Sequence, residues 1–214
     1  MPRDSNTLIA ELVGSLEPVK PLSFRRGFAL ALAAAAVSVL GVAAMFDLRP
    51  DLLSGRFEPV FLLASGLFLV LGIAASVTVI VMSRPRVGSD HGGWAWAAAM
   101  VALLPVAATL VTFGRGGSVL GHDELLYGAE CLALGSSYSV LVFAVLVWWL
   151  RKGAPTSPER AGLLTGIAAG CFGIFAFSLH CRYDDIVHIG LWHSAVVVVA
   201  ATAGRALVPR LVRW

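Results

Sequence analysis

Charge is scarce in this chain: 14% of its 214 residues are Asp, Glu, Lys or Arg, 58% are hydrophobic, and the mean hydropathy is +0.83. That balance excludes an ordinary soluble domain and specifies an integral membrane protein. Cysteine is sparse as well. Cys131, Cys171 and Cys181 stand apart with no Cys-x-x-Cys pair, which argues against a quinone-linked disulfide oxidoreductase. The apolar runs carry almost no ionisable group near their middles and no internal repeat is visible, so a transporter built on broken mid-membrane helices is disfavoured. Low complexity is confined to the alanine-rich first run. The net charge of +3 and pI near 9.0 do not signal nucleic acid, because the excess sits at helix ends and in short tails. No hydrolytic or group-transfer chemistry is suggested, and no enzyme is expected.

What is present in quantity is apolar sequence. A span needs about 20 apolar residues to cross about 30 Å of hydrocarbon, and six runs qualify: Gly27–Phe46, Pro59–Met82, Gly93–Phe113, Cys131–Leu150, Gly162–His180 and Ile186–Gly204. All should be helices, since lipid leaves the backbone no other partner. Four of the intervening segments (the amino tail, Ser83–Gly92, Arg151–Ala161 and the carboxyl tail) carry 12 Lys and Arg, and the other three loops carry 4. The positive-inside rule then puts both termini in the cytoplasm. Trp94, Trp96, Trp148, Trp149 and Trp214 fall near the same inner boundary, as an aromatic belt would. Ser23-Phe24-Arg25-Arg26-Gly27-Phe28 has the form of a twin-arginine export signal. Five further spans favour a retained first helix instead.

Gly162, Gly166 and Gly170 recur every four residues, a smooth stripe on the fifth span that suits close packing within the chain or, less well, a homodimer seam. Pro105 should kink the third.

The fifth and sixth spans are separated by His180-Cys181-Arg182-Tyr183-Asp184-Asp185, followed by His188 and Trp192-His193. Charge counting places this break on the outer side, where Cys131 joins it from the fourth span. Cys171 lies roughly 15 Å deeper than Cys181 by helix rise and should be buried and inert. His122, His180, His188 and His193 all fall on or near the outer side; His91 falls inside. Asp184 and Asp185 stand four and three residues before His188, so either can share a helix face with it if the last helix begins early. Thiolate, imidazole and carboxylate together suit zinc or cadmium, although the spacing matches no dedicated zinc motif. The readings that stay open are a redox- or metal-responsive site, a hydrogen-bonded cap or disulfide, and cofactor binding. Haem is disfavoured because His193 has no second deep histidine to match it.

The amino arm has its own pattern. Leu8, Ile9, Leu12, Val13 and Leu16 form an i, i+1, i+4, i+5, i+8 stripe, which predicts an amphipathic helix over Asp4–Leu16 stopped by Pro18 and Pro21. Its polar face carries Asp4, Asn6, Glu11 and Ser15 rather than Lys and Arg, so a groove on a basic soluble protein fits it better than a lipid surface. Val19-Lys20-Pro21-Leu22 would be a stiff spacer.

Several segments together resemble the NrsF-type six-span membrane anti-sigma factors: Pro18-Val19-Lys20-Pro21-Leu22, Leu48-Arg49-Pro50-Asp51-Leu52, Cys131-Leu132, Arg151-Lys152-Gly153-Ala154-Pro155, and His180-Cys181 with Asp184 and Trp192-His193. Arg182 stands where such proteins usually have proline. The resemblance implies an all-α protein of the bacterial inner membrane, with residues 1–24 as an arm that holds an ECF sigma factor and residues 25–214 as a six-helix transmembrane domain. It implies further that Cys131 and Cys181 report envelope stress, as metal or oxidation, with His180, Asp184, Asp185, His188 and His193 as auxiliary groups and Leu8, Ile9, Glu11, Leu12, Val13 and Leu16 as the sigma-binding face. No resident cofactor is expected beyond transient zinc or heavy metal. The rival reading is a small-molecule or metal transporter with an outward Cys/His entry site. A structural scaffold with a disulfide cap is the third.

Overall fold

The computed structural model describes residues 4–14, 16, 21–85, 93–115 and 121–212. Ser15, Pro18, Val19, Lys20, His91 and Trp214 lie outside the described residues, and with them most of the expected spacer. Helix α1 (Ser5–Gly14) is followed by α2 (Phe24–Met45), a short α3 (Pro50–Ser54), α4 (Pro59–Met82), α5 (Gly93–Gly114), α6 (His122–Arg151), α7 (Pro158–Ser178) and α8 (Ile186–Leu211). Among the described residues there is no strand. Helices α2 and α4 to α8 are six that are long and apolar enough to cross a membrane, as expected of a multi-pass membrane protein.

Local chemistry sets several of the boundaries. Pro50, Pro59 and Pro158 occupy the first turns of α3, α4 and α7, where a missing N–H costs nothing. Gly55 ends α3 with φ +70°, a conformation glycine adopts without strain. Helix α6 starts with Asp123 and Glu124 and ends with Arg151, charges that complement its dipole. Its 30 residues would span about 45 Å, about 15 Å more than the hydrocarbon requires. The expected start at Cys131 therefore came nine residues late, because the first turns are polar and a hydropathy count passes over them.

Helix α7 is the axis of the bundle. Sixteen of its residues, from Ala161 to Ser178, are buried, and α8, α6, α4 and α2 all pack on it. The glycine stripe makes the closest of these contacts. A Cβ on Gly162 or Gly166 would run into the backbone of Gly204 or Ala200 on α8, so the stripe serves packing within the chain. Polar side chains add cross-helix bonds: Ser38 Oγ donates to the Tyr138 carbonyl at 3.0 Å, and Ser65 and Ser178 hydroxyls meet at 3.2 Å.

Each end of the bundle is tied by loop contacts. At the end where α2 begins, the proximal end, Ala154 N–H donates to the Ser83 carbonyl at 2.8 Å, Arg84 Nη2 donates to the Leu22 carbonyl at 2.7 Å, and Trp149 Nε1 donates to Ser83 Oγ at 3.2 Å. Trp149 is thus buried, unlike the exposed Trp148. At the opposite, distal end, Arg49 N–H donates to the Leu179 carbonyl at 3.0 Å, so the α2–α4 and α7–α8 connections lie together.

Helix α1 is shorter than the predicted Asp4–Leu16. It stops at Gly14, the poorest helix former of the segment, and every described residue in it is exposed.

Candidate functional site

The distal end gathers four ligand-type side chains from three elements. Cys131 comes from α6, Cys181 from the α7–α8 connection, and His188 and His193 from α8; one ligand atom from each lies within 4.8 Å of the others. All four are buried, with His188 fully inaccessible and His193 3% exposed. The two sulfurs are 3.6 Å apart, and His188 Nε2 lies 3.3 Å from Cys131 Sγ and 3.7 Å from Cys181 Sγ. The His193 Nε2 is buried with no hydrogen-bond partner.

Backbone geometry explains why two histidines five residues apart converge. Residues i and i+5 of a regular α-helix point about 140° apart. Here Ile189–His193 is a π-helical turn between the α turn Ile186–His188 and the α-helix Ser194–Leu211. An i→i+5 turn stacks such residues, and π turns cluster at functional sites. The rings stand edge to face with centroids 5.5 Å apart. Gly190 within the turn lets α5 approach, since a Cβ there would strike the Leu104 carbonyl and Ala108.

A surrounding layer fixes these groups. Glu124 Oε1 lies 2.9 Å from His188 Nδ1, so Nδ1–H donates to this carboxylate and the ring is held with Nε2 facing the thiols. Tyr183 stacks on His188 at 4.9 Å and 24°, and Tyr127 packs on Tyr183 at 5.0 Å. Burial, then Tyr127, pushes the Tyr183 phenol up to about 12. The Cys181 thiol is held well below its ordinary value, first because Cys131 hydrogen-bonds to it and then through the His188 ring, against the opposing effect of burial. A cleft of about 360 Å³ opens beside the sulfurs, with Tyr127, Glu130, Phe177 and Arg182 on its walls.

The other expected site residues lie elsewhere. His180 Nδ1 pairs with the Asp47 carbonyl at 2.7 Å and packs on Phe46 and Phe177. Asp184 binds Arg49 Nη2 at 2.7 Å and does not share a helix face with His188, because α8 begins only at Ile186. Asp185 caps α8 by accepting from Val187 N–H at 2.7 Å and pairs with Arg115 at 2.8 Å. Burial opposes its ionisation, but Arg115 and the cap hold its carboxyl below the usual range. Cys171 is buried away from the group. On α1, Leu8, Ile9, Glu11, Leu12 and Val13 are exposed, and so is Leu16 beyond its end.

Sequence reasoning missed two organising residues, Arg49 and Glu124. Arg49 is 3% exposed, sits over the Phe61 ring at 4.2 Å, and joins Asp51, Asp184 and the Cys181 carbonyl. An arginine beside a proline in a short interhelical loop was the available signal.

This arrangement defines a polytopic helical membrane protein with a buried thiol–imidazole group at one end and an exposed amphipathic helix joined to the other. Residues 12–214 match the family described as "Negative regulator of sigma F", and the chain belongs to that family. The family is one of regulators, not of enzymes. The chain is 27% identical over 211 residues to the "Probable anti-sigma-F factor NrsF" of Azospira oryzae, covering 97% of this chain and 98% of that one. It is 28% identical over 212 residues to the "Anti-sigma-F factor NrsF" of Caulobacter vibrioides, covering 98% and 97% respectively. No solved structure matches it.

Proposed function

We propose that this protein is a membrane-bound anti-sigma factor that holds an ECF-type sigma factor through residues 1–24, away from RNA polymerase, and releases it when the Cys131/Cys181 end meets metal or oxidative stress. The observation that carries the reading is the family match across residues 12–214, joined to an α1 whose aliphatic stripe is exposed: Ile9 is 58% and Val13 61% accessible. An exposed stripe of this kind with Asp4 and Glu11 beside it suits a hydrophobic groove rimmed by basic residues. Residues 25–214 serve as the transducer. The loop charges favour the bacterial inner membrane with both termini in the cytoplasm, which leaves the thiols facing the periplasm.

Signalling across the bundle requires that the stimulus bind its two states unequally. A difference of about 1.4 kcal/mol changes sigma-factor affinity tenfold. Helices α6 and α8, which carry three of the four clustered groups and pack on α7, are the natural movers.

The test removes Met1–Leu16 and asks whether a sigma factor still co-purifies with the membrane protein. Loss of the sigma factor with normal membrane insertion is expected. Undiminished retention would sink the arm's role. Alkaline phosphatase fused after Arg56 should be active and after Ala154 inactive; the reverse pattern would invert the topology.

A further inference from the structure

We propose that Cys131, Cys181, His188 and His193 form a closed, four-coordinate site for a divalent cation of the zinc class, resident in the resting protein. The inference deepens the sensor reading and rests on it for its signalling role only. Its structural argument begins with spacing. Tetrahedral zinc, with metal–sulfur bonds of about 2.3 Å and metal–nitrogen bonds of about 2.0–2.1 Å, sets its ligands about 3.8 Å apart for two sulfurs and about 3.6 Å apart for sulfur and nitrogen. The sulfurs here are 3.6 Å apart, and the Cys–His188 separations are 3.3 and 3.7 Å. Thiol–imidazole hydrogen bonds have similar lengths, so the spacing permits the tetrahedron without requiring it, and all four ligand atoms lie within 4.8 Å of one another.

A second observation is independent of these distances. His193 is 3% exposed and its Nε2 makes no hydrogen bond, a costly state for a buried ring nitrogen. A cation would accept that lone pair. Charge balance points the same way: two thiolates neutralise a divalent ion, so the filled site is neutral and suits burial at a membrane boundary. Two sulfurs and two imidazole nitrogens select zinc or cadmium over magnesium and calcium, which take oxygen. Glu124 on His188 Nδ1 supplies the outer carboxylate that orients a ligating imidazole and raises its basicity.

Four protein ligands leave no open position for substrate, the mark of a structural rather than a catalytic site. The ligands come from α6, the α7–α8 connection and the first two turns of α8. The cation therefore clamps α8 to α6 at the distal end, and its loss or exchange frees the two helices to separate.

The full chain, purified in detergent without any sigma factor and loaded with Co²⁺, tests the site. One ion per chain is expected, with the strong visible absorption of tetrahedral cobalt, a thiolate charge-transfer band, and displacement of both by Zn²⁺. A weak octahedral spectrum lacking thiolate charge transfer would overturn the proposal with no variant required. His193→Ala should lower Zn²⁺ affinity at least tenfold against a competing chelator, and Cys131→Ser with Cys181→Ser should abolish binding. Unchanged affinity in His193→Ala would overturn the four-ligand set. Size exclusion and circular dichroism show whether each variant is folded; where one is not, the wild-type cobalt spectrum decides. With no sigma factor in the assay, failure of the metal site leaves the arm reading standing, and loss of the arm reading leaves the cobalt spectrum unaffected.

Discussion

Arg49 donates from Nη1 to the Cys181 carbonyl at 2.7 Å, across 132 positions of sequence. The same guanidinium holds Asp184 and Asp51, so one buried cation sets the backbone that carries the Cys181 thiol. Arg49→Ala should leave that carbonyl and both carboxylates without their partner, at a cost of about 2–4 kcal/mol. A lower thermal midpoint in detergent is expected, with faster alkylation of Cys181 by a membrane-impermeant maleimide. Arg49→Lys should recover only part of either, because an ammonium lacks the fork that binds three acceptors at once. Wild-type values for Arg49→Ala would remove Arg49 as the anchor.

The Arg49–Asp51 pair makes distal-end stability depend on pH. The side-chain hydrogen bond from Arg49 holds the Asp51 carboxyl below its usual range. A depressed folded-state value contributes stability that is complete above the ordinary carboxyl pKa and is lost as pH falls through the folded one, from about pH 5 downward. The melting midpoint should drop on acidification through that window, and Asp51→Asn should blunt the drop. An equal drop in both proteins would assign the acid sensitivity elsewhere.

Close packing of α7 on α8 should be sensitive to one methyl group. Gly166→Ala places a Cβ against the Ala200 backbone, and overpacking of this kind costs about 1–3 kcal/mol. Gly66 on α4 is exposed with nothing near its added Cβ, so Gly66→Ala should be neutral or stabilising by about 0.5–1 kcal/mol. Thermal unfolding of the two variants side by side is the measurement; equal effects would mean that the glycine stripe is not a packing seam.

The six spans were legible because hydropathy over about 20 residues is an additive property of the sequence. Pro59–Met82 was expected and observed with the same bounds. The start of α6 was not, since Asp123, Glu124 and Glu130 dilute the apolar signal although the helix continues through them. Cys131 and Cys181 could be assigned to one end by counting loop charges. Their 3.6 Å approach could not, because it depends on how α6 and α8 pack on α7. The convergence of His193 with His188 was hidden for the same reason: a π turn leaves no periodic mark in five residues, and only that turn brings His193 under His188. Arg49 was hidden by its residue type, since an arginine in a loop normally signals solvent.

The arm should bind through its aliphatic stripe rather than its charge alone. Ile9→Asp combined with Val13→Asp introduces two carboxylates into the expected contact, and a loss of at least about 1.4 kcal/mol, or tenfold in affinity, is expected for a purified sigma factor. Glu11→Gln should instead act mainly on the association rate and its salt dependence. Affinity unchanged in the double variant would show that the sigma factor is held elsewhere on the protein.

The π turn offers a test of register in which a smaller helix should work better than a larger one. His188 and His193 are five residues apart, and removing Leu191 would make them four apart, a separation of about 40° that a regular α-helix places on one face. The deletion therefore relaxes the π turn without dispersing the ligands, and the chain beyond it keeps its rotational setting against α7. Inserting one alanine between Leu191 and Trp192 makes the separation six residues, about 120° in an α-helix. Deletion of Leu191 should keep the tetrahedral cobalt spectrum, and the insertion should lose it while the protein still enters the membrane. A spectrum retained by the insertion and lost by the deletion would show that the two histidines are not placed by this turn.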